Sequence, residues 1–268
     1  MTRNPVVAGR FYPADPSKLK AMVASFAPKP LPQENALACI LPHAGYVFSG
    51  KVAVQTLASV KIPEACIILG PNHSGLGEPV SIMREGEWKT PLGRLVIHTE
   101  IASELMAQSR YLEEDAIAHA EEHSIEVILP LIQELGGKQT RFVPITLASN
   151  DELVYKDIAK SIASCLRKAA GNVLVIASSD MSHYEPQKRA NDKDQKAIEA
   201  ILALDDEELI ERVRRWDISM CGYIPAAIAV LASKMAGATS AKLLAYQTSG
   251  DVSGDYSSVV GYAGIVIH

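Results

Sequence analysis

Three short, nearly unbroken apolar runs constrain this chain's fold more than any other sequence feature: residues 36–41 (ALACIL), 65–69 (ACIIL) and 172–177 (NVLVIA). A strand with one wet face alternates apolar and polar side chains. A run apolar at every position fits a strand covered on both faces. Each run is too short for a buried helix, and each stops abruptly, at Pro42, at Gly70-Pro71 and at Ser178-Ser179. Segments with helical spacing separate them, at residues 52–60, 153–170, 192–204, 207–216 and the strongly apolar 223–235. Further strands are expected at 79–83 and 94–98, around a turn at Gly86, and at 142–147, 241–246 and 259–267. This alternation predicts an α/β fold: one three-layer α/β/α domain over residues 1–268, with a central mostly parallel or mixed sheet.

With 268 residues, 48% of them hydrophobic, the chain can build a core without covalent staples. Cys39, Cys66, Cys165 and Cys221 are scattered and form no C-x-x-C pair, so they are expected to be thiols in a reducing compartment. The first three stand in apolar runs and read as small buried hydrophobes. A formal charge of −5 argues against nucleic acid as a partner. The basic run at 212–215 has acidic neighbours and reads as a solvated helix face. The first ten residues lack the apolar region of a signal peptide, and no run approaches the ~20 residues that span a bilayer. The expectation is a cytoplasmic protein with no membrane partner.

In open α/β sheets, ligands gather beyond the carboxyl ends of the strands. Three strand ends here each deliver a histidine: Pro42-His43-Ala44-Gly45-Tyr46, Gly70-Pro71-Asn72-His73-Ser74-Gly75 and Ser178-Ser179-Asp180-Met181-Ser182-His183-Tyr184. Proline limits the backbone and glycine allows sharp turns, so such loops can hold an imidazole over a sheet edge. Neutral imidazoles ligate zinc, iron or copper. Two readings of His43 and His73 stand, loop caps or metal ligands, and a third ligand would decide between them. Its candidates are Cys221, Asp180, His183 and Glu126. Cys221 directly precedes Gly222 and the apolar helix, where the helix dipole is expected to lower a thiol's pKa. Asp180 and His183 share one loop and read as an acid/base couple or as support for the site.

Two other features have competing explanations. His119-Ala120-Glu121-Glu122-His123 matches H-x-x-E-H, a zinc metalloprotease signature that needs both histidines on one helix face. Against it, Ile125, Ile128, Leu129 and Ile132 form a core stripe and Pro130 interrupts helical bonding. The Gly/Asp/Ser stretch at 246–258, including Gly250–Asp255, reads as an ordered turn or as an anion nest without the lysine of a P-loop.

Taken in chain order, several segments together resemble the Memo family, called AmmeMemoRadiSam system protein B in microbes. They are residues 8–13 (AGRFYP), 42–46 (PHAGY), 69–75 (LGPNHSG), 122–126 (EHSIE), 178–184 (SSDMSHY), 220–222 (MCG) and 260–264 (VGYAG). The resemblance implies a fold similar to class III extradiol ring-cleaving dioxygenases, which bind iron(II) through two histidines and a carboxylate. It implies a metal set of His43, His73 and Cys221, with His183 as the acid/base histidine. Asp180 and the Glu122-His123 pair would line or support the pocket. Phe11, Tyr12 and Tyr46 would belong to its wall.

Cys221 stands where the dioxygenases use a carboxylate. A thiolate favours copper or zinc, though iron remains compatible. The function expected first is therefore a metal-dependent, dioxygenase-like oxidoreductase holding iron(II) or copper, with zinc as a third candidate. The alternative is a non-enzymatic binding module for a phosphopeptide or other anionic ligand, because animal members of the family are linked to phosphotyrosine-peptide binding. Microbial members resemble partners of a radical-SAM enzyme and an AMMECR-type protein.

Overall fold

The computed structural model describes residues 1–27, 33–137 and 139–268. The elements run β1 (Thr2–Arg3), α1 (Pro16–Phe26), β2 (Ala38–Leu41), α2 (Tyr46–Ala58), β3 (Ala65–Pro71), β4 (Val80–Ile82), β5 (Glu87–Thr90) and β6 (Gly93–Val96). Next come α3 (Thr99–Gln108), β7 (Glu113–Glu114), α4 (Ile117–Ala120), a 3-10 turn (Glu126–Ile128), α5 (Leu129–Leu135), β8 (Arg141–Leu147) and α6 (Glu152–Ala169). The chain closes with β9 (Val173–Ser178), β10 (His183–Glu185), α7 (Gln187–Leu202), α8 (Asp206–Arg215), α9 (Tyr223–Met235), β11 (Ala241–Thr248), α10 (Gly250–Ser253) and β12 (Val259–Ile267).

The main sheet is mixed and nine-stranded, in the order β10-β12-β2-β9-β3-β8-β4-β7, with β11 also paired to β12. Its centre, β2-β9-β3-β8, is parallel. Every residue of β2, β3 and β9 is buried, so alternate side chains enter separate cores. Ile40, Ile67, Val175 and Ala177 join α3, α6, α7, α8 and α9 on one face. Cys39, Leu41, Ile68 and Ile176 join α1, α2 and α5 on the other. Burying each large aliphatic side chain contributes about 1.5–3 kcal/mol. The layered α/β class predicted above is the one observed.

Boundaries differ in informative ways. Residues 79–83 and 94–98 do not pair around Gly86: β4 joins the main sheet, while β6 forms a hairpin with β5 in a separate sheet, β1-β5-β6. Helix α2 begins at Tyr46, earlier than its apolar spacing suggested, because its first turn is built on the histidine loop. The stretch beyond Tyr246 contains one helical turn, α10, closed by Gly254 at φ 75°. Among the described residues, no helix is long and apolar enough to cross a membrane.

Candidate metal centre

The loops after β2, β3 and β9 meet because these strands are neighbours in the order β2-β9-β3. The loops after β2 and β3 bring His43 and His73 together, and the segment between α4 and the 3-10 turn adds His123, with ligand-capable atoms all within 4.8 Å of one another. Ring centroids lie 5.2 Å apart for His43–His73, 5.5 Å for His43–His123 and 4.8 Å for His73–His123. His43 is buried, His123 half-buried and His73 exposed, so the group opens to solvent on one side.

Hydrogen-bond partners fix the tautomers. The Ser178 hydroxyl donates to the Ser124 carbonyl at 2.7 Å, so at 2.8 Å it can only accept from His43 Nδ1. The Glu122 carboxylate accepts from His73 Nδ1 at 3.0 Å and lies 3.3 Å from His123 Nδ1. His43 and His73 are thus held through Nδ1, the arrangement that orients metal-ligating histidines by Nε2, while His123 Nδ1 stands beside the same carboxylate. Glu122 also accepts from the backbone amides of His73, His123 and Ser124. Burial raises its pKa, but His73, the Ser124 amide and His123 outweigh burial and hold the carboxyl down at about 2. Burial first, then the neighbouring His73 and His123, push His43 well below the usual imidazole range, so it is neutral and fit to ligate.

Cys221 reaches the site from the start of α9. Its Sγ lies 3.3 Å from His43 Nε2 and accepts from the Asp180 amide at 3.3 Å. It touches the group through His43 and is not among the three residues that share the 4.8 Å spacing. The expectation of a lowered thiol pKa is overturned: burial and the Asp180 carboxylate push it up, outweighing the bonds from the Asp180 amide, Ser179 and the Gly222 amide. A metal would have to displace that proton. The donor set fits a transition ion, since imidazole nitrogen and thiolate sulfur suit iron, copper or zinc.

The other expected residues take varied places. Asp180 is buried, and its carboxylate accepts from the His43 amide at 2.9 Å and from the Ala44 amide at 3.3 Å, tying down the first loop. His183 is half-buried; its Nδ1 donates to the Ser219 carbonyl at 2.8 Å, so its Nε2 is also free. Phe11 presents a ring edge to His123 at 4.9 Å. Tyr12 and Tyr46 lie deeper, their hydroxyls bound to Glu126 and to the Val127 carbonyl at 2.7 Å each. Glu126 is not available as a ligand, because Arg3, Val6, Val7 and Tyr12 all bond to its carboxylate.

His119 lies apart. Helix α4 ends at Ala120, so His119 and His123 share no helix face, and the His119 ring sits against Trp88 at 5.7 Å. The protease geometry is absent from this segment. Sequence reading missed Ser178 as the anchor of His43 and Arg3 as a partner of the 119–126 segment. A serine ending a buried strand beside a histidine loop was the available signal for the first. Nothing local to Arg3 signalled the second.

Comparisons with known proteins agree with this architecture. The chain is 47% identical to a MEMO1 family protein of Methanopyrus kandleri over 279 residues, covering 99% of each. It is 42% identical to one from Desulfurococcus amylolyticus and 38% identical to one from Aquifex aeolicus, each alignment covering 98% of both chains. In fold it is similar to an uncharacterized protein of Escherichia coli K12 known from a crystal structure. The TM-score is 0.54 at 10% identity, covering 84% of this chain and 98% of that one. The sequence matches the family described as Memo-like protein over residues 3–266. A match of that extent, with relatives alike from end to end, places the chain in the Memo-like protein family.

Proposed function

We propose that residues 1–268 act as one Memo-like domain that holds iron or copper on His43, His73 and Cys221, with His123 beside them, and oxidises a small molecule with dioxygen as the electron acceptor. The observation that carries this reading is the convergence of three imidazoles, two of them anchored through Nδ1, with the Cys221 sulfur 3.3 Å from His43 Nε2. Iron or copper supplies electron-transfer chemistry when bound, whereas zinc supplies Lewis acidity alone. Within this reading Glu122 orients the His73 ring and faces His123, Ser178 orients the His43 ring, and Asp180 holds the His43 loop. His183, fastened through Nδ1, offers Nε2 to take a proton from a substrate hydroxyl and return it. The free thiols at Cys39, Cys66, Cys165 and Cys221 support a reducing, cytoplasmic setting. The groups bonded to the three rings are Ser178, Glu122 and Cys221, none of them cationic, which weakens the case for a phosphopeptide.

Anaerobic loading with iron(II) or copper, followed by elemental analysis, tests the reading. Wild-type protein is expected to approach one metal per chain, His43→Ala and His73→Ala to lose most of it, and His119→Ala to keep it. Equal metal content across wild type and the first two variants would sink the proposal. A calorimetric screen then compares aromatic diols with phosphopeptides; tight peptide binding without turnover of any diol would favour the binding module instead.

A further inference from the structure

The two outer histidines depend on Glu122, and Glu122 lies in a stretch, residues 119–126, with little regular structure of its own: α4 ends at Ala120 and the 3-10 turn begins at Glu126. What holds this stretch is the start of the chain. Arg3 is buried at 7% exposure, with its guanidinium 4.1 Å over the Trp88 ring. It donates from Nε to the His119 carbonyl at 2.6 Å, from Nη2 to the Glu122 carbonyl at 2.7 Å and from Nη1 to the Glu126 carboxylate at 2.7 Å. Glu126, fully buried, also accepts from the Val6 amide at 2.9 Å, the Val7 amide at 3.0 Å and the Tyr12 hydroxyl at 2.7 Å. Between these anchors Phe11 reaches His123 with its ring and accepts from the Tyr46 amide at 2.7 Å.

A guanidinium is a planar fork, and three bonds from one fork fix the relative positions of their acceptors. One acceptor is the carbonyl of the peptide that leads from Glu122 into His123. A buried ion pair is a poor source of net stability, but it holds a geometry. The arrangement therefore sets where the Glu122 carboxylate and the His123 ring stand.

We propose that Arg3, with Glu126 as its counter-ion, is a positioning residue for the metal centre: the strap of residues 3–12 sets Glu122 and His123, and through Glu122 the His73 ring. This inference rests on the metal reading above. The test is zinc titration against a chromophoric chelator, with absorption spectra of the cobalt(II)-loaded protein, in wild type, Arg3→Ala, Arg3→Lys and Val213→Ala. Val213 is buried in the opposite core, so its truncation lowers stability without touching the strap.

Arg3→Ala is expected to weaken zinc binding about tenfold or more and to shift the cobalt ligand-field bands. Arg3→Lys should restore part of the affinity, because it keeps the charge opposite Glu126, and Val213→Ala should change neither readout. Wild-type affinity with unshifted bands in Arg3→Ala overturns the inference, as does an equal loss in Val213→Ala. If Arg3→Ala does not fold, Tyr12→Phe removes one bond to Glu126 and should weaken zinc severalfold; an unchanged value overturns the inference equally. Wild-type protein that takes up neither zinc nor cobalt overturns the metal reading itself, and this inference with it.

Discussion

At the scale of single residues, partners decide which histidines can do chemistry. His43, His73 and His183 each give Nδ1 to a neighbouring oxygen, and Nε2 of His43 faces the Cys221 sulfur. His119 has neither nitrogen satisfied and is fully buried. Burial, then the charge of Arg3, holds its pKa down at about 3. The unfolded chain binds a proton at this site below pH 6.5 and the folded chain does not, so His119 makes stability fall as pH drops through the window from about 6.5 to about 3. From pH 7 to pH 5 this amounts to about 2 kcal/mol. His119→Leu is predicted to remove about that much of the acid sensitivity, as read by urea unfolding at the two pH values; identical pH dependence in variant and wild type would refute it. The sequence offered the same residue type at 119 and 123, and only the surroundings separate a packed ring from a site ring.

At the scale of elements, the approach of α9 to the end of β9 delivers Cys221. Gly222 makes this possible: a Cβ there would overlap the Ser178 carbonyl oxygen and stand 2.6 Å from Ser179 Cβ. Gly222→Ala is predicted to cost about 1–3 kcal/mol through overpacking. It should also weaken the thiolate-to-cobalt absorption band as the sulfur moves away. Thermal unfolding and the cobalt spectrum check both, and a wild-type spectrum would count against the docking role. Strands β2, β3 and β9 were legible because every residue in them is apolar or small. Helix α9 was legible from Tyr223 to Met235 for a related reason, its nearly continuous apolar run. Helix α1 buries only Leu19 and Val23, so its apolar period is faint. The pairing of β5 with β6 was hidden because Glu87–Thr90 reads as a polar segment, with Trp88 alone fully buried.

For the whole molecule, a metal that binds the folded state alone must stabilise all of it. At a free metal concentration 100 times Kd the gain is about 2.7 kcal/mol. For a chain near this size that raises Tm by about 5–10 °C. Thermal scans with saturating zinc and then excess chelator should show the rise and its reversal, and a Tm indifferent to both would argue against a resident ion. Strand order was the least legible property, because it is not a local one. β2 and β3 are neighbours in sequence but not in space, since β9 lies between them. The mouth where their loops converge therefore exists only when β9 is in place. On the ribosome this ordering imposes a wait. At about 5–20 residues per second, β3 emerges some 5–20 s before the strand that must fill the gap beside it. For that interval the nascent chain carries open, apolar edges on both β2 and β3, and the thiol of the centre has yet to be synthesised.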